Sequence, residues 1–105
     1  MKLWLDDKRE APLGWMHVKT YADAMAILRG DNVVVDEISL DHDLGTKETG
    51  YDVAVEIEKM HNLGKSVPKV SSHSVNPVGR SKINAVAKRV ATPKKESNMW
   101  KGDRW

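Results

Sequence analysis

Short apolar runs that end on polar clusters organise this chain. Ile38-Ser39-Leu40 alternates apolar and polar, then meets Asp41-His42-Asp43 before Gly45 turns the backbone, which predicts a strand ending in a site. Leu3-Trp4-Leu5 likewise runs into Asp6-Asp7, and Val67-Pro68-Lys69-Val70 into Ser71-Ser72-His73-Ser74. Between these runs the apolar period becomes helical. Thr20 is placed as an N-cap with Asp23 in a capping-box-like position, and Tyr21, Ala24, Ile27 and Leu28 share a face that ends at Gly30. From Thr49 to about Asn62, Val53, Ala54, Ile57 and Met60 oppose Glu56, Glu58 and Lys59, and Gly64 marks the stop. Asn76 and Pro77 open a last helix lined by Ile83, Val86, Ala87 and Val90. The expected strands are residues 2–5, 16–19, 33–40 and 67–71, with Asp36-Glu37 interrupting the third and Pro68 near the start of the fourth. Residues 8–16 hold a Pro and a Gly and read as a loop.

The order strand, strand, helix, strand, helix, strand, helix predicts an α/β domain: a small, mostly parallel four-stranded sheet with flanking helices and right-handed crossovers. Residues 1–90 are assigned to this domain and 91–105 to a basic, Trp-containing tail packed on it. If the strands are parallel, their carboxyl ends share one edge, where ligands of open parallel sheets bind. At 105 residues the chain is long enough for one core, and without cysteine it has neither disulfides nor a thiolate metal site. The absence of a long apolar run points to a cytoplasmic protein with no membrane partner. Phe is absent, so Trp, Ile, Leu, Val and Met must fill the core. The net charge of +2 conceals an asymmetry: Lys88, Arg89, Lys94, Lys95, Lys101 and Arg104 face only Glu96 and Asp103, so the basic character belongs to the tail.

Charge also shapes the expected site. Asp6, Asp7, Asp41 and Asp43 would meet at two neighbouring strand ends, where each pair about 4 Å apart repels by roughly 1 to 4 kcal/mol. A divalent cation relieves that repulsion, and all-oxygen ligation suits Mg²⁺ or Mn²⁺. The alternative is that the aspartates cap turns separately in solvent. His73 and His42 are the candidates for proton transfer, His73 being favoured because Ser72 and Ser74 flank it and a helix begins nearby. The stretch from Ser72 to Arg80, with Ser72, Ser74, Asn76, Arg80 and that helix N-terminus, is a candidate phosphate site.

These residues resemble a family. Leu5-Asp6-Asp7, a strand ending in Leu40-Asp41 and a glycine at Gly50 are similar to the receiver domains of two-component signalling, whose flavodoxin-like topology is here truncated. The resemblance is closer to the cyclic-phosphate-processing receiver-like domains, on four runs in order. These are Leu3-Trp4-Leu5-Asp6-Asp7-x-Arg9, Ser39-Leu40-Asp41-His42-Asp43-Leu44-Gly45, Thr49-Gly50-Tyr51-Asp52 and His73-Ser74-x-Asn76-Pro77-x-Gly79-Arg80. The fifth strand with its sensing lysine is not found, and the first crossover is too short for a helix. The resemblance implies a metal-assisted site with His73 catalytic, Asp41 and His42 beside it, Arg9 among the phosphate contacts, and cyclic phosphate ends such as those on cleaved RNA as substrate.

Two functions follow as expectations. The first is a Mg²⁺- or Mn²⁺-dependent phosphoesterase acting on RNA 2′,3′-cyclic phosphate ends or a cyclic-nucleotide-like molecule, suited to RNA repair. The second is a non-catalytic receiver-like interaction module, of a kind a phage could encode, that binds a partner protein or a phosphate ligand. Trp100 and Trp105 are expected to cover a bare sheet face or edge, with RNA contact through the tail as the alternative. No DNA-binding motif is found.

Overall fold

In the computed structural model, which describes residues 1–91, seven elements succeed one another. They are β1 (Lys2–Leu5), β2 (Trp15–Val18), α1 (Tyr21–Arg29), β3 (Glu37–Leu40), α2 (Gly50–Asn62), β4 (Lys69–Ser72) and α3 (Pro77–Ala91). The strands form one sheet in the order β2-β1-β3-β4, and every pairing is parallel. The mostly parallel sheet expected from sequence is therefore wholly parallel. Even the helix-free loop between β1 and β2 carries the chain back to the starting end, so it acts as a crossover and not as a hairpin.

Alternation along each strand sorts the side chains onto two faces. Leu3, Ile38 and Val70 share one row and Leu5, Val18 and Leu40 another, all of them buried. Against these rows pack Ala24 and Met25 from α1, Val53, Ala54 and Ile57 from α2, and Ile83, Val86 and Val90 from α3. Burying each of the larger side chains contributes about 1.5–3 kcal/mol. The connections from β2 to β3 and from β3 to β4 advance in the same direction, so right-handed crossovers bring their helices to one face. α1 lies beside α2, and α2 beside α3. The opposite face carries Trp4, Trp15, His17, Ser39 and Ser71, and no described helix covers it.

Helix starts follow local chemistry. The Thr20 hydroxyl accepts the Asp23 N–H at 3.0 Å, while the reciprocal capping box forms at Thr49 and Asp52. Three strands differ in their limits from expectation. β3 begins at Glu37 and not at residue 33, because its partner β1 begins at Lys2, opposite Glu37. The Met1 ammonium instead holds the Val34 carbonyl at 3.1 Å and the Asp36 carboxylate at 2.6 Å, leaving Val34 exposed. β4 begins at Lys69, since Pro68 has no N–H to donate and Lys69 makes the first bond, to the Asp36 carbonyl at 2.9 Å. β2 sits one residue earlier than expected and ends at Val18, whose carbonyl accepts the Asp6 N–H. The tail residues Lys94, Lys95, Trp100, Lys101, Arg104 and Trp105, with the packing and RNA contact expected of them, lie outside the described residues. Among the described residues no helix is long and apolar enough to cross a membrane.

Candidate active site

Because β1 and β3 are neighbours, the carboxylates that follow them converge at the carboxyl edge of the sheet. One oxygen from each of Asp6, Asp7 and Asp41 lies within 4.8 Å of the other two. Close backbone approach makes this possible. A Cβ on Gly50 would fall 1.8 Å from the Asp41 carbonyl oxygen, so only glycine lets α2 start against the end of β3. Gly45 (φ +70°) turns the following loop past Asp7, to whose Oδ2 a Cβ would come within 3.3 Å.

Asp6 is 1% exposed and surrounded by donors. Its Oδ1 accepts the backbone N–H groups of Lys8 and Arg9, each at 2.8 Å, and its Oδ2 meets Arg9 Nε and His73 Nε2, each at 3.0 Å. Burial pushes its carboxyl up, but the two backbone N–H groups, His73 and the Arg9 charge together hold it below the ordinary 3.8.

His73 reaches this carboxylate from the far side of the sheet, after β4. Its ring stacks on Trp4 with centroids 3.6 Å apart and planes 9° apart. Its Nδ1 lies 2.8 Å from the Ser39 hydroxyl. Burial lowers the imidazole below 6.5, against the opposing pull of Asp6. A neutral ring next to a carboxylate carries its proton on Nε2, so Nδ1 accepts from Ser39. The result is a chain from Ser39 through His73 to Asp6.

Asp41 differs in kind. It is 8% exposed, yet Arg9 Nη2 stands 3.8 Å away and no donor among the described residues makes a full hydrogen bond to its carboxylate. Burial, then the Asp6 charge, raises its carboxyl above 3.8; His73, Arg9 and least of all the His42 N–H oppose the rise. An under-satisfied buried carboxylate beside two others is an all-oxygen donor set that fits Mg²⁺ or Mn²⁺.

The other expected site residues are placed elsewhere. Asp43 lies outside the carboxylate group: it holds His42 Nδ1 at 3.0 Å and the Asn76 amide at 3.2 Å, and these two contacts keep its carboxyl low. His42 is wedged under α3, where a Cβ on Gly79 would strike its Cγ at 2.3 Å. Ser72 donates to the Leu40 carbonyl and accepts the Ser74 N–H, and Ser74 in turn accepts the Asn76 N–H. Asn76 Oδ1 caps the N–H groups of Val78 and Gly79, and Arg80 Nη1 donates to the Ser74 carbonyl. These side chains build the turn from β4 into α3. Among the described residues, the Lys or Arg side chain that reaches the carboxylates is that of Arg9, whose Nη2 also donates to the His73 carbonyl at 3.0 Å. Sequence reasoning gave no separate role to Ser39 and Trp4. The signal was present, because strand alternation puts both on the face opposite Leu5 and Leu40, directly beside one another.

No curated protein and no solved structure matches the chain. A family model described as the cyclic-phosphate processing receiver domain matches residues 1–89, a span that includes all four strands, the three converging carboxylates, Arg9 and His73. The chain belongs to the cyclic-phosphate processing receiver domains.

Proposed function

We propose that this protein is a metal-dependent phosphoesterase that opens cyclic phosphates, with RNA 2′,3′-cyclic ends or a cyclic-nucleotide-like molecule as substrate. The family gives the link to cyclic-phosphate processing. The observation that carries the catalytic reading is the convergence of Asp6, Asp7 and the under-satisfied Asp41 within 4.8 Å. These three would hold Mg²⁺ or Mn²⁺, which when bound polarises a phosphoryl oxygen and acidifies an attacking water. Water adds at phosphorus, one P–O ester bond breaks, and the leaving ribose oxygen takes a proton. In this reading His73, oriented by Ser39 and Trp4, supplies it in the charged form that the adjoining Asp6 carboxylate favours: the imidazolium gives its Nε2 proton to the leaving oxygen, and the neutral ring regains one from the attacking water. Arg9, half-exposed over the same edge, offers charge for the transition state.

A binding module without turnover is the second reading, favoured by the Arg9 ion pair with Asp6, which already neutralises part of the cluster. Hydrolysis of 2′,3′-cyclic mononucleotides and of a short RNA with a 2′,3′-cyclic end, in Mn²⁺, Mg²⁺ or EDTA, separates the two. Ring opening that stops in EDTA and falls roughly 100- to 10,000-fold in His73→Ala supports the enzyme. Absence of product under every metal, with phosphate-ester binding that survives EDTA, supports the module.

A further inference from the structure

We propose that Arg9 occupies the cation position of the carboxylate cluster and is exchanged for the metal, which frees its guanidinium to take the substrate phosphate. This rests on the metal-site reading above and adds a coupling between metal loading and phosphate recognition.

An ionised carboxylate offers about four acceptor sites, and Asp6 meets four donors: two backbone N–H groups, Arg9 Nε and His73 Nε2. A cation can gain a lone pair of Asp6 only if one donor yields. The Lys8 and Arg9 N–H groups belong to the turn that ends β1, and moving them unmakes the turn. His73 is locked by Trp4 stacking and by Ser39, with its side chain only 12% exposed. The Arg9 side chain is 46% exposed, and leaving Asp6 costs it only that bond and the one from Nη2 to the His73 carbonyl, so of the four donors it yields with the least disruption. It also lies between the carboxylates the metal needs, 3.0 Å from Asp6 Oδ2 and 3.8 Å from Asp41 Oδ1. A divalent ion and the guanidinium favour the same negative potential, so each weakens the hold of the other on the cluster.

The consequence for phosphate follows from where the rest of the edge is engaged. Ser72, Ser74 and Asn76 are bonded within the turn before α3, and Arg80 is held by the Ser74 carbonyl. Arg9 is the guanidinium already at the carboxylates, and once released its planar fork matches a phosphate. Phosphate binding to Arg9 then favours metal binding, and linkage makes the effect reciprocal.

The test measures binding directly. Mn²⁺ titration followed by the electron paramagnetic resonance of the free ion should show Arg9→Gln binding roughly 5- to 50-fold more tightly than wild type. Adenosine 2′-monophosphate should tighten Mn²⁺ binding to wild type and do so much less in Arg9→Gln, whereas direct contact between phosphate and metal would tighten both alike. In the wild-type protein, the Arg9 Nε–H resonance should lose its protection from solvent exchange on saturation with Mg²⁺. Metal binding that leaves this resonance protected, or that is no tighter in Arg9→Gln, overturns the exchange and leaves the metal site standing. If neither protein binds Mn²⁺, the metal-site reading itself falls, and the exchange with it.

Discussion

Replacing Asp41 by Asn should make the metal-free protein more stable while removing its response to metal. Asp41 is nearly buried, its carboxylate is raised by burial and by Asp6, and the charge it carries at neutral pH opposes folding. Two carboxylates repel it and one guanidinium attracts it, so about one repulsion is left uncompensated. At the 4.8 Å limit of the cluster this is worth about 1 kcal/mol at the dielectric of water and about 3.5 kcal/mol at the value typical of a protein surface. Each kcal/mol raises the midpoint of a domain near this size by about 4–8 °C. Thermal melts followed by circular dichroism in EDTA should therefore place Asp41→Asn above wild type. In Mn²⁺ at 100 times its dissociation constant, wild type gains about 2.7 kcal/mol by mass action, and the variant, short of one ligand, gains little. The order of the two melts then narrows or reverses. An Asn variant that melts at or below wild type in EDTA would refute the electrostatic reasoning; one that keeps the full metal response would remove Asp41 from the ligand set.

Other perturbations test neighbouring links. Asp6 is held below 3.8 and His73 below 6.5, so both stabilise the fold at neutral pH and lose that contribution as pH falls, His73 first; Asp41, held above 3.8, has the opposite sign and loses its contribution as pH rises. Urea unfolding of the metal-free protein between about pH 4 and 8 should show stability declining below about 6.5, and His73→Gln should flatten that first part. Gly50→Ala sets a Cβ against the Asp41 backbone oxygen and Gly79→Ala sets one against His42 Cβ and Cγ, neither of which a side-chain rotation clears, so each should cost at least about 1–3 kcal/mol; an unchanged urea midpoint in either variant would contradict this. Ser39→Ala leaves His73 Nδ1 without its donor and should cost about 1 kcal/mol, with ¹⁵N chemical shifts reporting whether the Nε2–H tautomer weakens.

Much of the fold was legible because its signals are local. The alternation of Ile38 and Leu40, the caps at Thr20 and Thr49, and the helical face of Ile83, Val86 and Val90 each decide an element within a few residues. Strand starts were less legible. Val33 and Val34 have strand-like side chains, but a strand extends only as far as its partner, and the pairing with β1 runs out at the Met1 carbonyl, which takes the Asp36 N–H at 2.8 Å. The site was half readable for the same reason. Strand ends predict that Asp6, Asp7 and Asp41 converge, whereas the path of the loop after β3, which turns Asp43 toward Asn76, is set by three-dimensional packing under α3. The phosphate site expected from Ser72 to Arg80 has suitable residue types, but residue type does not reveal whether a hydroxyl is already bonded within its own turn.

The parallel ladder also bears on how the protein folds. Asp6 and His73 are 67 positions apart, and β1 reaches β4 only through β3. Among the described strands no hairpin joins neighbours, so every pairing must close a loop before it gains contacts, which slows assembly relative to a hairpin-built sheet. The carboxyl edge is completed only when β4 docks, the last strand of the sheet to leave the ribosome. A partly synthesised chain can hold Asp6 and Asp41 together but lacks the imidazole that orients Asp6, so the full site reports that the whole sheet has assembled.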